Sequence, residues 1–132
     1  YYNWFMAHRS QLSLALLRQP VVSLHGDFGV RNCRYQDGRL SLIDFERVKP
    51  GIAQEDVLKF FLEDLDGRSD LIQAFWDGYG PSAALAPIAD AWFRFDAALG
   101  IMTYVQQRPD PAFEAVGQRM MGAVPRIVSG QK

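Results

Sequence analysis

The sequence predicts an α+β fold in which a short β-hairpin is followed by a largely helical carboxyl-terminal half. Three observations carry that reading. β-Branched and turn-forming residues are concentrated between Val21 and Gly51. Every segment after Gly51 repeats its apolar residues at helical spacing. No internal repeat, low-complexity tract or linker divides the 132 residues, so residues 1–132 are expected to form a single domain with a core of its own.

Residues Trp4 to Arg18 read as one helix with apolar positions at Trp4, Phe5, Leu12, Ala15 and Leu16, stopped by Pro20. Val21 to His25 is short and β-branched, a buried strand leading into a loop through Gly26 and Gly29 to Asn32. Asp37-Gly38 is a hairpin turn signal between Cys33–Tyr35 and Leu40–Ile43. Lys49-Pro50-Gly51 reads as a break. Glu55 to Leu65 carries Val57, Phe60, Phe61 and Leu65 on one helical face. Ser69 is placed to cap a helix containing Leu71, Ile72, Phe75, Trp76 and Tyr79, which Gly80 and Pro81 end. Pro87 opens the longest helix, with the stripe Ile88, Ala91, Trp92, Phe95, Leu99, Met102 and Val105. A last helix from Pro111 brings Phe113, Val116, Met120 and Val124 together despite Gly117, Gly122 and Pro125. The aromatics and methionines of these faces are expected to be core, not a cofactor box.

Composition excludes several classes. Apolar residues are 48% and charged residues 22% of the chain, as in an ordinary globular protein. A net charge of -1 removes the simplest case for a nucleic-acid partner. No apolar run is long enough to span a membrane. Cys33 is the only cysteine, which excludes an internal disulfide and fits a reducing cytoplasm. Glu63, Asp64, Asp66 and Asp70 cluster around the Asp66-Gly67 turn. Such a cluster is ordinarily a solvated face and helix start, and becomes a substrate site only if the substrate is cationic.

The chemistry is concentrated in Leu24-His25-Gly26-Asp27-Phe28-Gly29-Val30-Arg31-Asn32 and Leu42-Ile43-Asp44-Phe45-Glu46. Asp27 and Asn32 lie on one loop. Asp44 ends the strand that returns antiparallel through the hairpin, so it can come back beside Asn32. Three oxygen-bearing side chains would then converge. Such hard donors suit Mg²⁺, which takes one or two carboxylates and leaves other positions to water and phosphate. With one histidine near this site and no cysteine pair, zinc is disfavoured.

The pattern His-x-Asp, four residues, Asn, and a hydrophobic strand ending Asp-Phe resembles the catalytic and metal-binding loops of protein kinases. The variant His25-Gly26-Asp27, with Ile43-Asp44-Phe45-Glu46, resembles the aminoglycoside phosphotransferase and choline kinase superfamily, which includes homoserine, methylthioribose and fructosamine kinases. The resemblance covers Leu24 to Glu46 closely and extends loosely through Asp56 and the helices behind it. It implies ATP or another nucleoside triphosphate as phosphoryl donor, Mg²⁺ as cofactor and a small-molecule hydroxyl as acceptor. It places Asp27 as the base that takes or orients the hydroxyl proton, and Asn32 and Asp44 as the residues holding Mg²⁺ against the nucleotide phosphates. His25 matches a loop-organising histidine. Asp56 matches an aspartate that braces the catalytic loop, and reads equally as a first-turn helix charge. Arg31 either supplies positive charge to the phosphoryl group or pairs with a neighbouring carboxylate. Glu63, Asp64 and Asp66 are the candidates for recognising a cationic acceptor. Cys33 is expected to be a structural thiol.

The sequence departs from the family in one respect. It has neither Gly-x-Gly-x-x-Gly nor Gly-x-x-x-x-Gly-Lys, and its only lysines, Lys49, Lys59 and Lys132, follow the catalytic loop. The chain, which starts at Tyr1, is therefore expected to be the carboxyl-terminal catalytic lobe of a longer enzyme, inactive without its amino-terminal nucleotide-clamping lobe. Two other classes compete. One is a non-catalytic, pseudokinase-like binding module. The other is a metal-dependent hydrolase built on His25, Asp27, Asp44 and Glu46, which would need more ligands than the sequence places nearby.

Overall fold

The computed structural model describes residues 1–80 and 85–130. These fall into two compact units, Tyr1–Pro20 with the described part of Ala83–Lys132, and the described part of Val21–Ser82. The fold is α+β and mostly helical, with two small antiparallel sheets.

The sheets and the motif residues share the second unit, where β1 (Val22–Leu24) leads into the Gly26–Asn32 loop and a 3₁₀ turn at Val30–Asn32. The hairpin follows as β2 (Cys33–Gln36) and β3 (Arg39–Leu42), in the register Cys33↔Leu42 to Gln36↔Arg39. Its turn is Asp37-Gly38 with φ of 50° and 74°, the left-handed pair that matches strand twist. The expected break at Lys49-Pro50-Gly51 is instead a strand, β4 (Lys49–Gly51), pairing antiparallel with β1 so that Ser23 faces Pro50. A two-stranded sheet is all edge, and proline's missing N–H is tolerated there.

Two helices complete this unit. α3 (Ala53–Glu63) buries Val57 and Phe60, and Glu55 Oε1 accepts from the amide of Ile52 at its start, 3.0 Å away. α4 (Ser69–Tyr79) begins with Ser69 as a helical residue; Arg68 is the cap position and no side chain caps it, so the expected Ser69 cap is not formed. Gly80 ends α4 at φ 105°; Pro81, expected to share that role, lies outside the described residues. Phe28 of the loop packs on Phe60 at 4.9 Å, and Phe75 of α4 packs on Phe60 at 5.6 Å and Phe61 at 5.2 Å. An aromatic cluster thus fixes the loop to both helices.

Among the described residues the elements of the other unit are all helices. The single helix expected over Trp4–Arg18 is two, α1 (Tyr2–Ala7) and α2 (Arg9–Leu17), parted at His8. The His8 ring stacks on Trp4 at 4.1 Å, and its Nδ1 lies 2.8 Å from the Trp4 carbonyl. That oxygen also takes the His8 amide, so the side chain competes within the ladder and the helix turns. α5 (Pro87–Gln107) and α6 (Pro111–Val128) form the rest, α6 capped by Asp110, whose carboxylate accepts from the Phe113 amide. Phe5, Leu12, Ile88, Ala91, Phe95 and Val124 form the core. Because α5 packs on both α2 and α6, its buried surface is wider than one stripe. Ala89, Ala98 and Ile101 join it, whereas Leu99, expected inside, is 45% exposed. Among the described residues no helix is long and apolar enough to cross a membrane.

Gly117 permits the close approach of α6 to α5: a Cβ there would lie 2.9 Å from Ile101 Cγ2. Gly117→Val is expected to destabilise the protein by about 1–3 kcal/mol through overpacking. Gly122, with nothing within 4 Å of its Cβ position, should gain about 0.5–1 kcal/mol as alanine. Urea denaturation of the two variants gives the opposite signs if the helices pack as described.

Candidate active site

The geometry of the loop is set by α3. Asp56, in the first turn of that helix, accepts the amide of His25 at 2.5 Å and that of Gly26 at 2.9 Å, one on each carboxylate oxygen. Gly26 has φ 80°, and a Cβ on it would collide with the carbonyl oxygen of Arg47. Only glycine meets both demands. Asp64, just past the end of α3, accepts the Val30 amide at 3.2 Å. The loop's backbone donors are therefore held at both ends by carboxylates of the same helical segment.

Within the loop, Asn32 is 6% exposed and its Nδ2 donates to the carbonyl of Asp27 at 2.8 Å. This contact fixes the carboxamide with Oδ1 as its remaining polar end. The hairpin register continues one residue beyond β3, with the Ile43 amide on the carbonyl of Asn32 at 3.0 Å. His25, 5% exposed, bonds the Ile43 carbonyl through Nε2 at 2.8 Å. Ile43 is thus tied to both His25 and Asn32, and it delivers the exposed Asp44 at φ 66°, a left-handed conformation that aspartate tolerates better than most residues. The described residues contain no group of three or more His, Cys, Asp or Glu suited to a metal ion. Asn32 and Asp44 are joined through Ile43, whose amide bonds the Asn32 carbonyl and which precedes Asp44 in the chain.

The Asp27 side chain, 23% exposed, is paired through Oδ1 with Arg31, and Lys59 Nζ lies 3.8 Å from the same oxygen. Burial pushes this carboxyl up, but the hydrogen bond and charge of Arg31, with Lys59 and Arg47 adding to it, outweigh burial and hold it below the usual carboxylate range. Lys59 was not singled out by its sequence. The available signal was its helical spacing, three residues after Asp56 and four before Glu63, which puts all three on one side of α3.

The acidic cluster separates in space. Glu63 pairs with Lys59 at 3.7 Å, Asp64 serves the loop amide, and Asp70 pairs with Arg68 at 2.7 Å on the surface. Asp66 occupies the turn before Gly67 at φ 50°. Glu46 is exposed beside Arg47 at 3.9 Å. Cys33 Sγ points to the Gly29 carbonyl at 3.4 Å, and burial, then the charge of Asp64, pushes its thiol up, which makes it a poor nucleophile.

A family model described as "Phosphotransferase enzyme family" matches residues 2–100, three quarters of the chain. No curated protein and no solved structure matches it.

Because the folded pKa of Asp27 lies below its unfolded value, the ion pair's contribution to stability is complete above the unfolded pKa and is lost as pH falls through the folded one. Carboxyl-resolved NMR titration of the metal-free protein should place Asp27 among the most acidic aspartates. Arg31→Ala should raise its midpoint and move the onset of acid unfolding to higher pH. An unchanged midpoint would mean that the Arg31 pair does not persist in solution.

Proposed function

The chain belongs to the phosphotransferase enzyme family, and on that premise we propose that it is the catalytic lobe of a small-molecule kinase. The reaction is transfer of the terminal phosphoryl group of ATP, or another nucleoside triphosphate, to a hydroxyl of an aminoglycoside, amino alcohol, amino acid or sugar. The observation that carries this reading is the pinned loop. Asp56 holds the His25 and Gly26 amides, Asn32 holds the Asp27 carbonyl, and the Asp27 carboxylate is left ionised beside two cations.

Such a loop suits phosphoryl transfer, which requires positioning and charge neutralisation more than covalent chemistry by the protein. The acceptor oxygen forms a bond to the terminal phosphorus while the bond to the bridging oxygen of the departing nucleoside diphosphate breaks. Asp27 accepts a hydrogen bond from the attacking hydroxyl and aims it. Its depressed pKa makes it a weak base, so the proton moves late, as a loose transition state allows. Arg31, already on Asp27, brings positive charge to the side from which the phosphoryl group is attacked.

The donor set fits Mg²⁺. Asn32 offers Oδ1 because its Nδ2 is committed to Asp27, and Asp44 offers an exposed carboxylate next to Ile43, which is bonded to Asn32. Bound with nucleotide, the ion would neutralise phosphate charge. For the acceptor, Glu63 and Asp64 are the members of the acidic cluster directed toward the loop, and they would meet a cationic substituent; Asp66 is the more remote candidate. A reducing cytoplasmic setting suits the single thiol.

The test is ADP formation from MgATP by the full-length enzyme across a panel of amino sugars, amino alcohols, amino acids and sugars. Turnover that needs both metal and one acceptor class supports the reading, and nucleotide binding without turnover would favour the binding-module alternative. The 132-residue chain alone should turn over little. Asp27→Asn should lower turnover by about 10²–10⁴-fold while nucleotide affinity changes little. Asp44→Ala should lose metal-nucleotide affinity and turnover together, with Asn32→Ala intermediate. Near-normal turnover of Asp27→Asn would overturn the mechanism.

A further inference from the structure

Behind the pinned loop, within the same unit, lies a cavity of about 570 Å³ whose wall includes Leu24, His25, Phe28, Phe45, Phe75 and Tyr79. Its size is that of a site for a small organic molecule. Among the described residues Asp56 is its one charged lining residue, and both of that residue's oxygens are engaged by the His25 and Gly26 amides. An anion would be repelled there and a cation would find no uncommitted carboxylate oxygen, so the wall suits a neutral ligand. The rings favour a flat one: Phe45 lies 4.7 Å from the His25 ring, and Phe75 stacks on Tyr79 at 5.4 Å.

His25 supplies the polar specificity. A carbonyl oxygen only accepts, so the contact between Nε2 and the Ile43 carbonyl puts the proton of a neutral imidazole on Nε2. Nδ1 is then a hydrogen-bond acceptor. It is buried and has no hydrogen-bond partner among the described residues, a state that is costly and uncommon for a polar atom. We propose that this cavity binds a neutral aromatic molecule carrying one hydrogen-bond donor, of the phenol or indole class, which donates to Nδ1 of His25. That nitrogen is covered in this structure, so the ligand would reach it by displacing the neighbouring Phe45 ring, itself half exposed.

Such a ligand would bear on the catalytic turn. His25 holds the carbonyl of Ile43, immediately before Asp44, and Phe45 follows Asp44. Occupancy would therefore brace Asp44 from both sides along the chain, which makes the cavity a regulatory site; Asp27 is not among its lining residues. The binding claim stands whether or not the chain is a kinase.

The test is NMR titration of the chain, with ¹⁵N-labelled histidine, whose ring resonances report the tautomer directly. The probes are phenol, indole, benzene and benzoate. Phenol and indole should saturate, shift the Nδ1 resonance in the hydrogen-bonded direction, leave Nε2 protonated and give intermolecular NOEs to Phe45 and Phe75. Benzene, lacking the donor, should bind roughly tenfold more weakly, and benzoate should not bind. Ala74→Trp, which fills the cavity from α4 outside the catalytic loop, should abolish phenol binding; if that variant does not fold, the NOEs on the native chain decide the location. Absence of saturable binding, equal affinity for benzene and phenol, or NOEs only to residues outside the cavity would each overturn the proposal.

Discussion

The arrangement of the candidate site depends on one carboxylate. Asp56 stands in the first turn of α3 and takes the amides of His25 and Gly26, one on each oxygen. Hydrogen bonds to a charged acceptor contribute about 1.5–3 kcal/mol each, and here they do more than stabilise. They fix the peptide at which β1 stops and the loop begins, at a glycine whose φ of 80° and proximity to Arg47 exclude a side chain. From that fixed point the chain runs to Asp27, which pairs with Arg31, and Asn32 reaches back to the Asp27 carbonyl. His25 turns inward to hold Ile43. Without the Asp56 anchor the loop amides would be unpaired, and the relation of Asp27 to Asn32 and Asp44 would no longer be set by the helix.

The second layer is electrostatic. Arg31 and Lys59 both approach Oδ1 of Asp27, and Lys59 is shared with Glu63. Positive and negative groups alternate from Arg31 through Asp27 and Lys59 to Glu63. The array keeps the Asp27 carboxylate ionised, and in the proposed reaction its cations would stand where charge accumulates during transfer. The cost is basicity, and the proposed chemistry tolerates it because proton transfer need not lead phosphoryl transfer.

Much of this was legible in the sequence. The hairpin followed from Asp37-Gly38 between apolar runs, and the family followed from His25, Asp27, Asn32 and Asp44 at their separations. Both are local signals: a turn residue at positive φ, or a motif on one short segment. What escaped was non-local or competitive. The β4 strand was hidden because Lys49-Pro50-Gly51 has no strand propensity and forms only by pairing with β1. The break at His8 arises from a ring bonding the carbonyl of Trp4, which hydrophobic spacing does not report. Leu99 lies outside because α5 serves two neighbours, so one stripe misjudges its buried width. Lys59 required knowing that α3 turns its Asp56 side toward the loop. The acidic residues from Glu63 to Asp70 looked like one cluster in sequence and are divided among a loop amide, a lysine, an arginine and a turn.

The central claim is that Asp27, Asn32 and Asp44 serve one metal-nucleotide site. It is tested most directly by paramagnetic relaxation, with Mn²⁺ replacing Mg²⁺ beside a non-hydrolysable ATP analogue on the full-length enzyme. The account predicts that broadening is strongest at the side-chain amide of Asn32 and at the backbone amides of Asp44 and Asp27, requires nucleotide, and fades toward the hairpin turn at Asp37. Broadening centred on Glu63 to Asp70, with Asn32 and Asp44 unaffected, would contradict it.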